Sequence, residues 1–211
     1  MELLTEGLQT YLEQHCDPEP DLLRYINRET HLKVSKPQML SGHYQGRVLS
    51  FLSKILSPVR ILEIGTFTGY ATICLAEGLT KDGIIHTIDI NEELEEQVRT
   101  HFEKSGFVDR IHYHIGNAEE IIPTLEETFD MVFIDADKKN NETYYDLIFE
   151  RVRPGGLIIV DNVLWYGKIT GGATDGRSQH IRGFTEKVVN DHRVEKLILP
   201  VRDGLLITRK L

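Results

Sequence analysis

Acidic residues recur where short apolar runs would end as strands. Asp89 closes Ile84-Ile85-His86-Thr87-Ile88, Asp135-Ala136-Asp137-Lys138 follows Met131-Val132-Phe133-Ile134, and Asp161-Asn162 follows Leu157-Ile158-Ile159-Val160. If the last two strands are neighbours, Asp135, Asp161 and Asn162 converge as two carboxylates and an amide. An oxygen-only set of this kind suits Mg²⁺, Mn²⁺ or Ca²⁺ rather than zinc. The plainer alternative is that these groups cap helices and pair on the surface, with Lys138 neutralising Asp137. A second acidic pair on an adjacent strand favours the cation. Lys138 has a further role open to it, because an ammonium beside a dication in a desolvated pocket is disfavoured and the amine can then accept a proton.

A second constellation is Glu63-Ile64-Gly65-Thr66-Phe67-Thr68-Gly69-Tyr70. It follows the apolar run Val59-Arg60-Ile61-Leu62 and precedes a helical stretch beginning at Ala71, so it reads as a strand-to-helix turn on two glycines. Such a turn lets a ligand lie against backbone near unpaired helix N–H groups. It is not the GxGxxG of a dinucleotide site, because Phe67 stands where the middle glycine would let a pyrophosphate approach. The ligand therefore lacks a diphosphate, and a nicotinamide reductase is disfavoured. Asp89 is spaced to bond a ribose, which points to an adenosine ligand; a tight turn with a capping acid ahead of Asn91 is the alternative.

These residues need a frame, and the chain supplies a regular one. Strands are expected at 59–64, 84–89, 111–115, 130–135 and 156–161, with helices near 69–79, 91–105, 117–126 and 141–152. Strict alternation with short connections argues a parallel sheet covered on both faces, whose ligands lie beyond the carboxyl ends of the strands. The end of the chain changes character. Val194 to Pro200 and Leu205 to Thr208 form two strands joined by Val201-Arg202-Asp203-Gly204, a connection that permits only an antiparallel pair. Ahead of the first strand, helices are expected over 2–16 and 18–30, broken at Asp17-Pro18-Glu19-Pro20, and a longer helical pattern runs from Lys36-Pro37 to Leu56.

Composition bounds the function. A chain of 211 residues with 40% hydrophobic and 27% charged residues is one globular domain without a membrane-spanning run. The N-terminus carries acids where an export signal would carry Lys or Arg, so a cytoplasmic protein is expected. Cys16 and Cys74 are far apart and neither ligand nor disulfide partner is expected of them. A net charge of −9 argues against broad nucleic-acid binding. His112 and His114 share a strand face but lack a third ligand. Trp165-Tyr166 could wall a flat substrate, and the glycine-rich stretch 171–176 could act as a flap.

Taken together, the strand-end motifs with Gly155-Gly156, Asp161-Asn162-Val163-Leu164-Trp165 and Pro200-Val201-Arg202-Asp203-Gly204 resemble the cation-dependent class I S-adenosylmethionine O-methyltransferases, the family of caffeoyl-CoA and catechol O-methyltransferases. The resemblance runs from about Lys36 to the C-terminus. It implies an α/β, Rossmann-like class I methyltransferase fold with a mostly parallel seven-stranded sheet and a C-terminal antiparallel hairpin. Residues 1–56 would be a helical cover on a core at 57–211. S-adenosylmethionine would be surrounded by Met39, Ser41, Glu63, Gly65, Ala71, Asp89, Ala118, Asp135 and Asp137. A divalent cation, Mg²⁺ before Mn²⁺ or Ca²⁺, would be held by Asp135, Asp161 and Asn162, with Lys138 as the catalytic base. Ala71 stands where many plant members have serine, which removes one hydrogen bond to the cofactor.

The implied reaction methylates one hydroxyl of a small vicinal diphenol, and the implied assembly is a homodimer. Two rivals remain. Related chains methylate a hydroxyuridine in tRNA, for which Arg177, Arg182, Lys187, Arg193 and Lys196 would supply phosphate contacts. A sensor that binds an adenosine ligand without catalysis would need neither the cation set nor the lysine.

Overall fold

The computed structural model describes residues 5–172 and 174–211. Seven strands form one sheet in the order β3-β2-β1-β4-β5-β7-β6. They are β1 (Arg60–Ile64), β2 (Ile84–Asp89), β3 (Ile111–Ile115), β4 (Phe129–Ile134), β5 (Val152–Asp161), β6 (Val194–Leu199) and β7 (Leu205–Lys210). The first five are parallel, whereas β7 runs antiparallel to both β5 and β6. Strand order reverses between β1 and β4, which opens a crevice beyond their carboxyl ends.

Alternation along each strand splits the core in two. Leu62, Ile64, Val132, Ile134, Ile158 and Val160 face one side, where α7 (Asn141–Phe149) and α8 (Gly176–Val189) deliver Tyr145, Ile148, Phe184 and Val188. Ile61, Met131, Phe133 and Ile159 face the other. There α2 (Asp21–Lys33), α3 (Gly42–Leu56), α4 (Tyr70–Ala76) and α5 (Glu95–Ser105) supply Ile26, Leu49, Leu75 and Phe102. Period-2 strands buried on both faces become near-continuous apolar runs, as read in the sequence.

The differences have local causes. The first helix, α1, is described as Glu6–Gln14, so residues 2–4 of the expected helix lie outside the described residues. The helix expected over 117–126 is the single turn α6 (Ala118–Ile121), because Pro123 turns the chain into a 3-10 turn at Ile122–Thr124. Strand β5 starts at Val152, four residues early, and α7 ends at Phe149 instead of 152. Pro154-Gly155-Gly156 suggests a break, but a register irregularity opposite Phe129 and Met131 absorbs it as a bulge. Helix α8 was not expected at all. Two glycines and a polar composition blur its period, but Asp175 caps it by accepting from the Ser178 N–H at 3.0 Å. Gly176 of the supposed flap therefore belongs to this helix, and Ala173 lies outside the described residues.

Candidate active site

A cavity opens at the crevice, lined by Met39, Leu40, Ser41, Gly65, Thr66, Phe67, Thr68, Tyr70, Ala71 and Asp135. Gly65 is what brings β1 and β4 together there. Its φ is +105°, and a Cβ would stand 2.1 Å from the Asp135 carbonyl oxygen, so any side chain would force the strand ends apart. Phe67 is also left-handed, at φ +49°. Its N–H donates to Asp89 Oδ2 at 2.7 Å, while Asp89 Oδ1 accepts from the Asn91 N–H at 2.9 Å. The acid expected on a ribose thus also fixes the glycine turn beside it.

Glu63 lies beneath the turn with no exposure. Its Oε2 accepts from Thr87 Oγ1 at 2.5 Å and from Thr72 Oγ1, and Thr66 and Thr87 hydroxyls meet at 2.6 Å. Burial pushes its carboxyl up to about 8, against the two threonine hydrogen bonds, with Asp135 and Asp89 adding to the rise. Among the described residues its Oε1 has no partner. A buried acceptor left open next to a glycine cradle fits a ligand that brings its own N–H donors, such as the amino acid end of S-adenosylmethionine.

Five expected cofactor residues, Met39, Ser41, Gly65, Ala71 and Asp135, therefore line one cavity. Glu63, Asp89, Ala118 and Asp137 are not among its walls. Ala118 opens α6 in the core, and Asp137 accepts from the Tyr144 hydroxyl at 2.7 Å.

Beside this cavity is the carboxylate pair. Asp161, 2% exposed, accepts from Gln45 Nε2 at 2.7 Å and from the Asn162 N–H at 2.6 Å. Burial pushes its carboxyl up to about 7, Asp135 adds to this, and Lys138, Gln45 and Arg202 oppose it. Lys138 Nζ lies 2.9 Å from Asp135 Oδ1, so in this structure the lysine serves as counter-ion to the pair. Asn162 takes φ +61°, a left-handed turn that asparagine tolerates. Two carboxylates and an amide make a hard donor set whose chemistry fits Mg²⁺, Mn²⁺ or Ca²⁺. Among the described residues no group of three or more His, Cys, Asp and Glu is arranged to hold a metal; the proposed set contains two such residues, and its third member is an amide.

Gln45 and Arg202 are participants that sequence reasoning missed. Gln45 reads as one polar position in a helical pattern, and Arg202 as part of a hairpin turn. His86 and His114 meet elsewhere, with Nδ1 and Nε2 2.9 Å apart and His86 Nε2 2.8 Å from Glu127, and no histidine lines the cavity.

A mostly parallel seven-stranded sheet with a reversed outer hairpin and a glycine-turn cavity at its switch point defines a Rossmann-like methyltransferase. Comparison with known proteins agrees. Residues 13–211 match the O-methyltransferase family model. Caffeoyl-CoA O-methyltransferase of Eucalyptus gunnii is 33% identical, covering 99% of this chain and 89% of the relative; that of Petroselinum crispum is 32% identical, covering 99% and 92%. Among solved structures, the SAM-bound O-methyltransferase TomG of Streptomyces achromogenes superposes with a TM-score of 0.89 at 28% identity over 98% of this chain and 99% of its own. The SAH-bound O-methyltransferase of Bacillus cereus gives 0.89 at 30% identity, covering 97% of each. The chain belongs to the O-methyltransferase family and is a class I S-adenosylmethionine-dependent O-methyltransferase related to the caffeoyl-CoA enzymes.

Proposed function

We propose that this enzyme transfers the methyl group of S-adenosylmethionine to one hydroxyl of a small vicinal diphenol, with a divalent cation, Mg²⁺ first, held by Asp135, Asp161 and Asn162. One observation carries the reading: Asp135 lines the donor cavity and at the same time faces Asp161 and Lys138, so donor and acceptor sites share a wall. When bound, the cation supplies Lewis-acid stabilisation of the phenolate. The protein's part is alignment and a proton path. The glycine turn and the cover at Met39, Leu40 and Ser41 hold the donor and exclude water, which accounts for most of the acceleration. With Asp135 neutralised by the bound cation, Lys138 is released from its ion pair, loses its own proton to solvent and, as the neutral amine, receives the hydroxyl proton. The oxygen forms its bond to the methyl carbon, and the carbon–sulfur bond breaks to leave S-adenosylhomocysteine.

The acidic surface supports a small acceptor over tRNA. Of the five basic residues available for phosphate, Lys187 is 2.6 Å from Asp146, Arg193 is 2.8 Å from Asp191, and Lys196 donates to the carbonyls of Val189 and Asp191. A homodimer is supported by α1 and α3, which pack together and leave Leu8, Tyr11, Phe51 and Ile55 exposed. Among the described residues no helix is long and apolar enough to cross a membrane, and a cytoplasmic setting is part of the proposal.

A methyl-transfer screen over vicinal diphenols with and without EDTA, against tRNA from a strain lacking the protein, tests the reading. Cation-dependent methylation of a diphenol is expected, and cation-independent turnover or methylation of tRNA alone would refute it. Lys138→Ala should keep cation binding and lose turnover by about 10²- to 10⁴-fold. Normal turnover in that variant would remove the lysine from its role.

A further inference from the structure

The N-terminal wall of the donor cavity, Met39-Leu40-Ser41, belongs to the segment 37–41. It is a 3-10 turn, Pro37–Met39, followed by Leu40 and Ser41, both 5% exposed. A left-handed residue stands at each end, Lys36 at φ +58° and Gly42 at φ +75°. Lys36 pays a steric cost for that conformation, and a Cβ on Gly42 would meet nothing within 4 Å, so Gly42 is there for its backbone freedom and not for close packing. Within the segment the backbone bonds are local, Met39 N–H to Lys36 oxygen at 3.0 Å and Leu40 N–H to Pro37 oxygen at 3.1 Å.

Three of its carbonyls, by contrast, accept from a single side chain. Arg202 Nη1 donates to the Leu40 carbonyl at 2.6 Å and to the Ser41 carbonyl at 2.7 Å, and Nη2 donates to that of Gln38 at 3.2 Å. Arg202 sits at φ +49° in the turn between β6 and β7. The guanidinium divides these three bonds between two nitrogens of a rigid planar fork, whereas an ammonium offers its donors from a single point on a flexible stem. The same turn grips the acceptor side: the Tyr166 N–H donates to Asp203 Oδ1, the Leu164 N–H to the Asp203 carbonyl at 2.8 Å, and the Val163 N–H to the Gly204 carbonyl at 3.1 Å.

We propose that Arg202 is a positioning residue that latches the segment 37–41 over the donor, and that this segment opens about Lys36 and Gly42 to admit S-adenosylmethionine and release S-adenosylhomocysteine. The inference rests on the reading of the cavity as the donor site. Because residues 203 and 204 hold the loop after β5, the closed cover and the acceptor-side loop are fastened to one turn.

Two measurements separate the latch from that reading. In ligand-free protein, amide exchange at residues 39–42 should be about tenfold faster in Arg202→Ala than in wild type, with the strands unchanged. Equal exchange would overturn the latch whatever the ligand. With S-adenosylhomocysteine as probe, calorimetry and stopped-flow fluorescence should show Arg202→Ala raising both Kd and the dissociation rate about tenfold. Arg202→Lys should recover part of the loss, and KM for the donor should rise while kcat holds or increases. If the variant's Kd and dissociation rate match wild type, Arg202 does not govern the cover. Failure of wild type itself to bind the probe would instead sink the donor-site reading and, with it, the gating role.

Discussion

Helix α3 is fastened to the sheet side of the molecule through two carboxylates, and they are treated in opposite ways. Glu77, just after α4, receives Arg47 at 2.8 and 3.0 Å, Ser50 at 2.7 Å and Lys54 at 2.8 Å. Burial alone would push its carboxyl up, but the hydrogen bonds from Arg47, Lys54 and Ser50 hold it down to about 2. Asp161, at the end of β5, receives only the neutral amide of Gln45 from the same helix, and its burial beside Asp135 holds it up at about 7. The first carboxylate is saturated by cations of the protein and has no capacity left for a ligand. The second is left short of positive charge, which costs stability and suits the proposed cation. Perturbation of this kind, burial plus a like charge in a crevice, supports the proposed cation role.

The comparison predicts unequal and opposite responses. The largest effect is expected at Asp161→Asn, which should lower methyl transfer by about 10³-fold. The same substitution should stabilise the cation-free protein by about 1 kcal/mol, because a buried charge beside another is removed. A thermal midpoint that falls in EDTA would show that Asp161 is a structural group after all. Next, Glu77→Gln should destabilise by about 2–3 kcal/mol, since Arg47 and Lys54 lose their partner, and leave kcat within about twofold. Urea unfolding and kinetics on one preparation check both halves.

Smaller is the acid dependence. The carboxyl of Glu77 is depressed when folded, so its stabilisation is present above the ordinary carboxylate value of 4.5 and lost as pH falls through about 2. The stability gap between wild type and Glu77→Gln should therefore be constant from pH 7 to about 5 and close between 4.5 and 2. A gap that persists at pH 2 would mean packing, not charge, carries it. Smallest is Gln45→Leu, expected to weaken Mn²⁺ binding about tenfold by freeing Asp161 to turn, read by titration calorimetry. Unchanged affinity would leave Gln45 with a packing role only.

Much of this contrast was hidden in the sequence, and the reason is distance along the chain. The glycine turn, the five strand ends and the final hairpin were legible because each is a local pattern: period-2 apolar runs, a Gly65–Gly69 spacing, and acids placed where strands stop. Asp135, Asp161, Asn162 and Lys138 could be picked out for the same reason. Helix α8 was missed because its period is weak and its strongest signal is the cap at Asp175. Gln45 and Asp161 are 116 residues apart, and Arg202 is over 160 from the carbonyls it holds, so no window of sequence contains either contact.

The sequence by itself determined the alternation of strand and helix, the chemical types offered at each strand end and the absence of a dinucleotide fingerprint, since backbone propensity and side-chain period act over a few residues. Which carboxylate is saturated and which is left wanting was decided only in three dimensions. Glu77 and Asp161 are both acids near helix α3, and only the fold gives one of them Arg47 and Lys54 and the other the amide of Gln45. A pKa is set by burial and by neighbours within a few ångströms, and tertiary packing alone assigns those neighbours.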